Sequence, residues 1–304
     1  MNIKEIESED IDLVKWNSLL YNTSVLEAQY CQHWLLSCIC NSWKAYILDD
    51  YKSAFICIYT KKKSVKIMYQ PFFSRNFTFL GEVNNDFIIN VIKKIENEFK
   101  LLQFNLSDNI QLKLWEKTKL NFQTLLLNSS YENIFNNYSK NAKRILKKNN
   151  KIIISESNKT EEFVKLFKEK VGIKLKFNND NYICLQQLID KGKENKKIKL
   201  FEIKHNNKYI GFACFLFYRN SINYIKGTLT DDGRDFGGMY HMFNHIIKEY
   251  SNKDNILDFG GSNIDSIASF YKKFGANDKY YYFYHRNKLP AIIKKIKSLR
   301  DKLK

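Results

Sequence analysis

IKLFEIKHNNKYIGFACFLFYRNSINYIKG, residues 198–227, reads as three apolar strands parted by two polar turns, His-Asn-Asn and Arg-Asn-Ser. β-Branched and aromatic residues crowd the strands, and Asn and Ser are turn formers that bond to their own backbone. The same rhythm occurs earlier in the chain. SWKAYILDDYKSAFICIYTKKKSVKIMYQ, from Ser42 to Gln70, gives a strand, an Asp-Asp turn, a strand, a Lys-rich turn and a strand. Each meander runs into a helical stretch, FIINVIKKIENEFK (87–100) or MYHMFNHIIKEY (239–250), and then into a short apolar strand, LLQFNL (101–106) or NILDFG (255–260). Each is preceded by an amphipathic helical region, around residues 11–40 and 130–192. The recurrence predicts a tandem duplication of one α+β unit, a mixed and mainly antiparallel sheet flanked by helices. The boundary falls near Asn128, giving an N-terminal unit over 1–128 and a C-terminal unit over 129–304.

The second copy ends in LDFGGSNIDSIASFYKKFGA, residues 257–276, which places two of the chain's 11 glycines side by side. A buried strand stops at Asp258. From Asn263 the apolar positions Ile264, Ile267, Ala268, Tyr271 and Phe274 fall at helical spacing, and Gly275 stands where a helix C-cap is expected. A glycine turn of this kind lets backbone amides approach a ligand, and the new helix N-terminus adds partial positive charge. A tight turn that needs small residues for packing gives the same pattern.

With 304 residues, 44% hydrophobic and 15% aromatic, the chain is long enough to bury full cores. No apolar run reaches the ~20 residues of a membrane span. The first residues, MNIKEIESEDIDLVKW, are acidic and carry no apolar signal core, which predicts a cytosolic protein. The six cysteines lie in apolar stretches and read as reduced core thiols. Cys31, His33, Cys38 and Cys40 lack the spacing of a zinc knuckle, and His241 with His245 lacks a third ligand, so no metal is expected. The formal charge of +18 is carried mostly by scattered lysines, so nucleic acid is not the expected partner.

Helix, antiparallel meander, helix, strand, helix is the order of the GNAT N-acyltransferase fold. In tandem it resembles the Fem-type peptidoglycan aminoacyl ligases and their shorter FemAB-like relatives. KYIGFACFLF, TDDGRDFGGMYHMFNHII, LDFGGSNIDSIASFYKKFGA and the closing NKLP, within residues 208–290, carry most of the resemblance. SYENIFNNYSKNAKRILKKNN and YQPFFSRNFTFLG resemble further segments. The resemblance implies N-acyl transfer to an amine, in cell-envelope or glycan assembly, with acyl-CoA as co-substrate and no permanently bound cofactor. Arg234, Gly237 and Gly238 fit the family's acyl-CoA loop, with Met239 at its last small position. Fem ligases that use aminoacyl-tRNA carry a long helical arm, and no charged stretch of that length occurs here, which favours acyl-CoA.

Acyl transfer to an amine needs a neutral nucleophile, a stabilised oxyanion and a protonated leaving group. The resemblance places Tyr271 where a leaving thiolate is protonated. Asp258, at the strand end, is positioned to take a proton or orient the amine, and equally to cap the turn that follows. Gly260, Gly261 and Ser262 would border the acceptor. Lys140 and Arg144, on a basic helical face with Lys143, Lys147 and Lys148, would hold a phosphate of a nucleotide- or lipid-linked substrate, or form a solvated face. The tail from Leu289, with lysines between its apolar residues, suits contact with the inner face of an anionic membrane or packing on its own unit. Two other functions fit the same sequence: an aminoacyl-tRNA-dependent transferase, and a catalytically degenerate tandem that binds a polyanion such as nucleic acid.

Overall fold

Left-handed backbone falls where the sequence places its turns. In the computed structural model, which describes residues 2–62, 65–149, 151–261 and 263–290, Asn206 and Asn207 both take positive φ, at 48° and 62°. Two such residues in succession give a tight turn whose twist matches adjoining antiparallel strands. Asp49 and Tyr51, at φ of 49° and 62°, serve the corresponding turn of the first meander.

The elements in chain order begin with β1 (Ile3–Glu7), α1 (Leu13–Asn22), α2 (His33–Ile39), β2 (Trp43–Leu48), β3 (Ser53–Lys62), β4 (Val65–Tyr69), β5 (Leu80–Gly81), α3 (Asn85–Glu98), β6 (Leu101–Leu106) and β7 (Glu116–Leu126). They continue with α4 (Tyr131–Asn136), α5 (Lys140–Lys148), β8 (Ile152–Glu156), α6 (Thr160–Phe167), α7 (Asn179–Glu194), β9 (Ile198–His205), β10 (Lys208–Tyr218) and β11 (Ser221–Leu229). The last are α8 (Asp231–Asp235), α9 (Gly238–Tyr250), β12 (Ile256–Asp258), α10 (Asp265–Lys272) and β13 (Asn277–Asn287). A five-residue π-turn, Lys168–Gly172, follows α6.

Two compact units divide the chain, residues 2–120 with 281–290, and residues 121–280. In the first, β1, β2, β3 and β4 pair antiparallel in that order, β4 pairs parallel with β6, and β6 pairs antiparallel with residues 282–287 of β13. In the second, β8, β9, β10 and β11 pair antiparallel, β11 pairs parallel with β12, and β12 pairs antiparallel with residues 124–126 of β7. Both units therefore follow one sequence of pairings. The division differs from a cut after residue 128. Residues 121–128 lie in the second unit because the end of β7 pairs with β12, and the chain from residue 281 lies in the first because β13 pairs with β6. The region 130–192, expected to be helical, contains the strand β8. Its consecutive isoleucines, Ile152 to Ile154, favour extended backbone, and β9 supplies the antiparallel partner.

The second unit's core lies between its sheet and α9. Met242, Phe243, Ile246 and Ile247 form the buried stripe of that helix. Phe243 meets Phe259 at 4.9 Å and Tyr224 at 5.1 Å between ring centroids. On the other face of the sheet, Phe212 packs on Phe163 of α6 at 6.1 Å.

In the first unit Lys44 of β2 is 1% exposed and is bonded by Glu98 of α3, at 2.6 Å, and by Glu5. Burial alone would raise the pKa of Glu98, but its bonds with Lys44 and Lys66 hold it below the ordinary carboxylate value. Its stabilisation is therefore present above the unfolded carboxylate pKa and is lost as pH falls through the folded one. Glu98→Gln should lower stability at neutral pH by about 3 kcal/mol, as loss of one member of a buried ion cluster does. Urea unfolding should show a smaller difference between variant and wild type in acid than at neutral pH.

Candidate functional site

Three residues of parallel pairing hold β11 to β12: Ser221 with Ile256, Ile222 with Leu257, and Asn223 with Asp258. Beyond Asn223 the two strands part. β11 continues to Leu229 against β10 alone, with a bulge that leaves Ile225 unmatched between Tyr224 and Lys226. β12 ends at Asp258 and gives way to the glycine turn.

Asp258 is 0% exposed, and its Oδ1 accepts a hydrogen bond from the Gly260 amide at 2.9 Å. The capping role anticipated for it is thus realised within the turn. Gly260 and Gly261 both adopt left-handed backbone, at φ of 81° and 78°. A Cβ on Gly260 would stand 2.5 Å from the Tyr224 carbonyl oxygen, so that glycine is required on two counts. Ser262 lies outside the described residues.

Tyr271 of α10 is 6% exposed and packs on Phe259 at 4.8 Å and Phe243 at 5.7 Å. Burial, and then the neighbouring Asp258 charge, push its pKa well above the ordinary tyrosine value. It is consequently protonated throughout the neutral range. Tyr224, which sequence reading passed over, belongs to the same cluster, and its pKa is raised by burial and by Tyr271.

The predicted donor loop lies at the start of α9. Gly237 is the N-cap, at φ of 71°, and a Cβ there would meet the Ile145 side chain of α5 at 2.5 Å. Gly238 is buried against Leu229, and Met239 packs at the edge of the core. Arg234, 47% exposed on its side chain, pairs with Asp231 at 2.9 Å, and Asp231 also binds Lys170 of the π-turn at 2.6 Å. A phosphate arriving here would share or replace the carboxylate of Asp231.

Gly237 against Ile145, and the Asn149 side chain donating to the Phe236 carbonyl at 2.9 Å, fix α5 beside the donor loop. Lys140 and Arg144 are exposed on α5, as are Lys147 and Lys148, and Arg144 bonds Asn141 at 3.0 Å. The basic face and the Arg234 loop are thus neighbours, while Asp258 and Tyr271 stand at the parting of β11 and β12.

His245 of α9 is engaged by Glu249 at 3.1 Å, and burial pushes the pKa of His241 down to about 4. Among the described residues no three His, Cys, Asp or Glu side chains gather as a metal centre would require. The six cysteines are free thiols. No helix of the described residues is long and apolar enough to cross a membrane. Leu289 is buried, and the tail from residue 291 lies outside the described residues.

No family model and no curated protein sequence matches this chain. Solved structures do match it. FemX is similar over 92% of this chain and 96% of its own, at 11% identity and a TM-score of 0.66. The C-terminal domain of a protein assigned as lysylphosphatidylglycerol synthetase in Agrobacterium fabrum is similar over 91% of this chain and 92% of its own, at 9% identity and a TM-score of 0.57. L-PGS from Bacillus licheniformis is similar over 95% and 96% of the two chains, at 11% identity and a TM-score of 0.53. Identities this low speak for fold. The fold is the tandem GNAT-like one, two α+β units of mixed sheet and flanking helices, found in FemX.

Because both the backbone angle and the Tyr224 carbonyl exclude a side chain, Gly260→Ala should destabilise the protein by about 1–2 kcal/mol. The same change at the helical Gly192 would test crowding alone, since it lies against Ile198 without a positive φ. Paired denaturant titrations measure both.

Proposed function

We propose that the second unit transfers an acyl group to an amine, with acyl-CoA as donor, in cell-envelope or glycan assembly. The parting of β11 from β12, with Asp258 and Tyr271 at its mouth, is the observation that carries this reading. The donor's phosphates would lie against Arg234 and the start of α9 at Gly237, Gly238 and Met239, where the first amides of the helix, beyond that of Gly237, which donates to the Arg234 carbonyl, and the helix dipole favour anions. The acceptor amine attacks the thioester carbonyl and the carbon–sulfur bond breaks. Asp258 takes the proton lost by the amine, and the protonated Tyr271 gives one to the departing thiolate. Gly260 and Gly261 let the acceptor approach the main chain. Lys140 and Arg144 hold a phosphate of a lipid- or nucleotide-linked acceptor. This chemistry fits the cytosol, with the tail from Leu289 as a contact to the membrane's inner face.

A second reading keeps the unit and changes the donor to an aminoacyl one. The name lysylphosphatidylglycerol synthetase, borne by one of the similar structures, describes formation of an aminoacylated lipid and supports that reading. Native mass spectrometry with acyl-CoAs in one arm and aminoacyl-tRNA in the other separates the two. Retention of neither, with salt-sensitive binding of nucleic acid, would leave a polyanion-binding tandem.

With the donor found, Arg234→Ala should weaken its binding by about 1–3 kcal/mol, as loss of a charge-assisted contact does, and calorimetry with an unchanged affinity would move the donor elsewhere. Asp258→Asn should slow transfer by roughly 10²- to 10⁴-fold, the range for a lost general base. Tyr271→Phe should give a separate defect that is larger for poor leaving thiols than for activated ones. Wild-type rates in both folded variants would remove them from the chemistry.

A further inference from the structure

β11 reads SINYIKGTL, and its one charged residue, Lys226, lies in the part of the strand that β12 does not cover. Register fixes its face. Lys226 is paired with Cys214, Thr228 with Phe212, and Asn223 with Leu216. Phe212, Cys214 and Leu216 alternate away from the α9 core, toward α6, where Phe212 meets Phe163 and the Thr228 hydroxyl donates to the Leu166 carbonyl at 3.5 Å. The bulge at Ile225 keeps Lys226 on the same face as Asn223, three residues away. Asp258 is registered with Asn223 and shares that face.

Lys226 is half-buried, and no hydrogen bond or ion pair joins its ammonium to a described residue. Burial pushes its pKa below the ordinary lysine value, with no carboxylate acting against that shift. Other shielded lysines of the chain are compensated: Lys44 by Glu98 and Glu5, and Lys204 by Glu202. A desolvated cation without a counter-ion costs stability and persists where a ligand supplies the charge.

We propose that Lys226 is an anion-binding residue on the α6 side of the gap between β11 and β12, and that it holds an oxyanion, phosphate or carboxylate, carried by the substrate. Assigning that oxyanion to the amine acceptor rests on the acyl-transfer reading, because Asp258 lies on the same face. Occupancy of Lys226 by an anion does not rest on it and is tested without turnover.

The full-length protein is labelled with an amine-reactive acylating reagent in chloride, inorganic phosphate or acetate of matched ionic strength, and each lysine is followed by mass spectrometry. The expected result is a several-fold slowing at Lys226 in phosphate or in acetate, with the exposed Lys93 and Lys94 of α3 unchanged, and the protecting anion names the substrate group. Parallel slowing at all three lysines, or no slowing at Lys226, overturns the proposal. So does a Lys226 that is unreactive in chloride, since an amine closed to a small reagent is closed to an oxyanion. In thermal melts, Lys226→Met should exceed wild type in chloride and lose the increment that the protecting anion gives, while Lys226→Arg keeps that increment. A Lys226→Met variant that melts lower, or that retains the increment, counts against the site. If that variant does not fold, the labelling and Lys226→Arg decide. Loss of acyl transfer with the anion effect intact would reject only the reading of the reaction.

Discussion

The short parallel pairing of β11 with β12 is the constraint on which the second unit's proposed site depends. Parallel strands need a long crossover between them, and here it is α8 and α9, whose apolar stripe then covers the sheet. Had β12 continued beyond Asp258, it would have paired with the edge of β11 as far as Leu229. It stops because Gly260 and Gly261 both turn left-handed, under the Tyr224 carbonyl. The glycines therefore act chiefly by ending a strand. The open edge of β11 and the burial of Asp258 follow from that stop.

Charge is distributed unevenly around this frame. In the first unit the shielded cation Lys44 has its carboxylates, and Glu202 of β9 binds both Lys159 and Lys204 in the second. Around the proposed site the balance tips toward positive charge. The exposed face of α5 is basic, and among the described residues the Arg234 guanidinium pairs with the exposed Asp231. The net charge of +18 thus has a local counterpart, which a sum over scattered lysines does not reveal.

Local chemistry made much of this legible. The meander turns, the stripe of α9, the stop at Asp258 and the helix closed by Gly275 all follow from short-range pattern, and the structure has α10 at Asp265–Lys272 with Gly275 at a φ of 85°. Choices of distant partner were less legible. Nothing within residues 281–287 states that they pair with β6, and nothing within 124–126 selects β12. The bulge at Ile225 is equally silent, because it arises from a mismatch between two strands. Without it, alternation from Ile222 and Tyr224 would have turned Lys226 into the α9 core, where a lysine is implausible. A single lysine in SINYIKGTL was the signal available for that residue, and it was masked by a composition rich in lysine.

A difference between the two copies bears on why the proposed site belongs to one of them. In the first unit β4 and β6 also share three parallel pairs, Ile67 to Leu101, Met68 to Leu102 and Tyr69 to Gln103. There, however, β4 ends at Tyr69, and the following chain turns back to the end of β6. Phe77 bridges to Leu106, its amide donates to the Asn105 carbonyl at 3.0 Å, and its own carbonyl accepts from Ser107 at 3.0 Å. Phe73, Ser74, Arg75, Asn76, Phe77, Thr78 and Phe79 are all buried in that segment. In the first copy the run left over beyond the parallel pairs is that of β6, and it is covered by the chain's own backbone and aromatic side chains. YQPFFSRNFTFLG, which resembles a family segment, has structural work of this kind: it supplies a partner for the edge of β6 that β4 leaves vacant. Two units built on one order of pairings consequently differ at one decisive place, and only in the second does a run of strand backbone beyond the parallel pair keep an uncovered edge among the described residues.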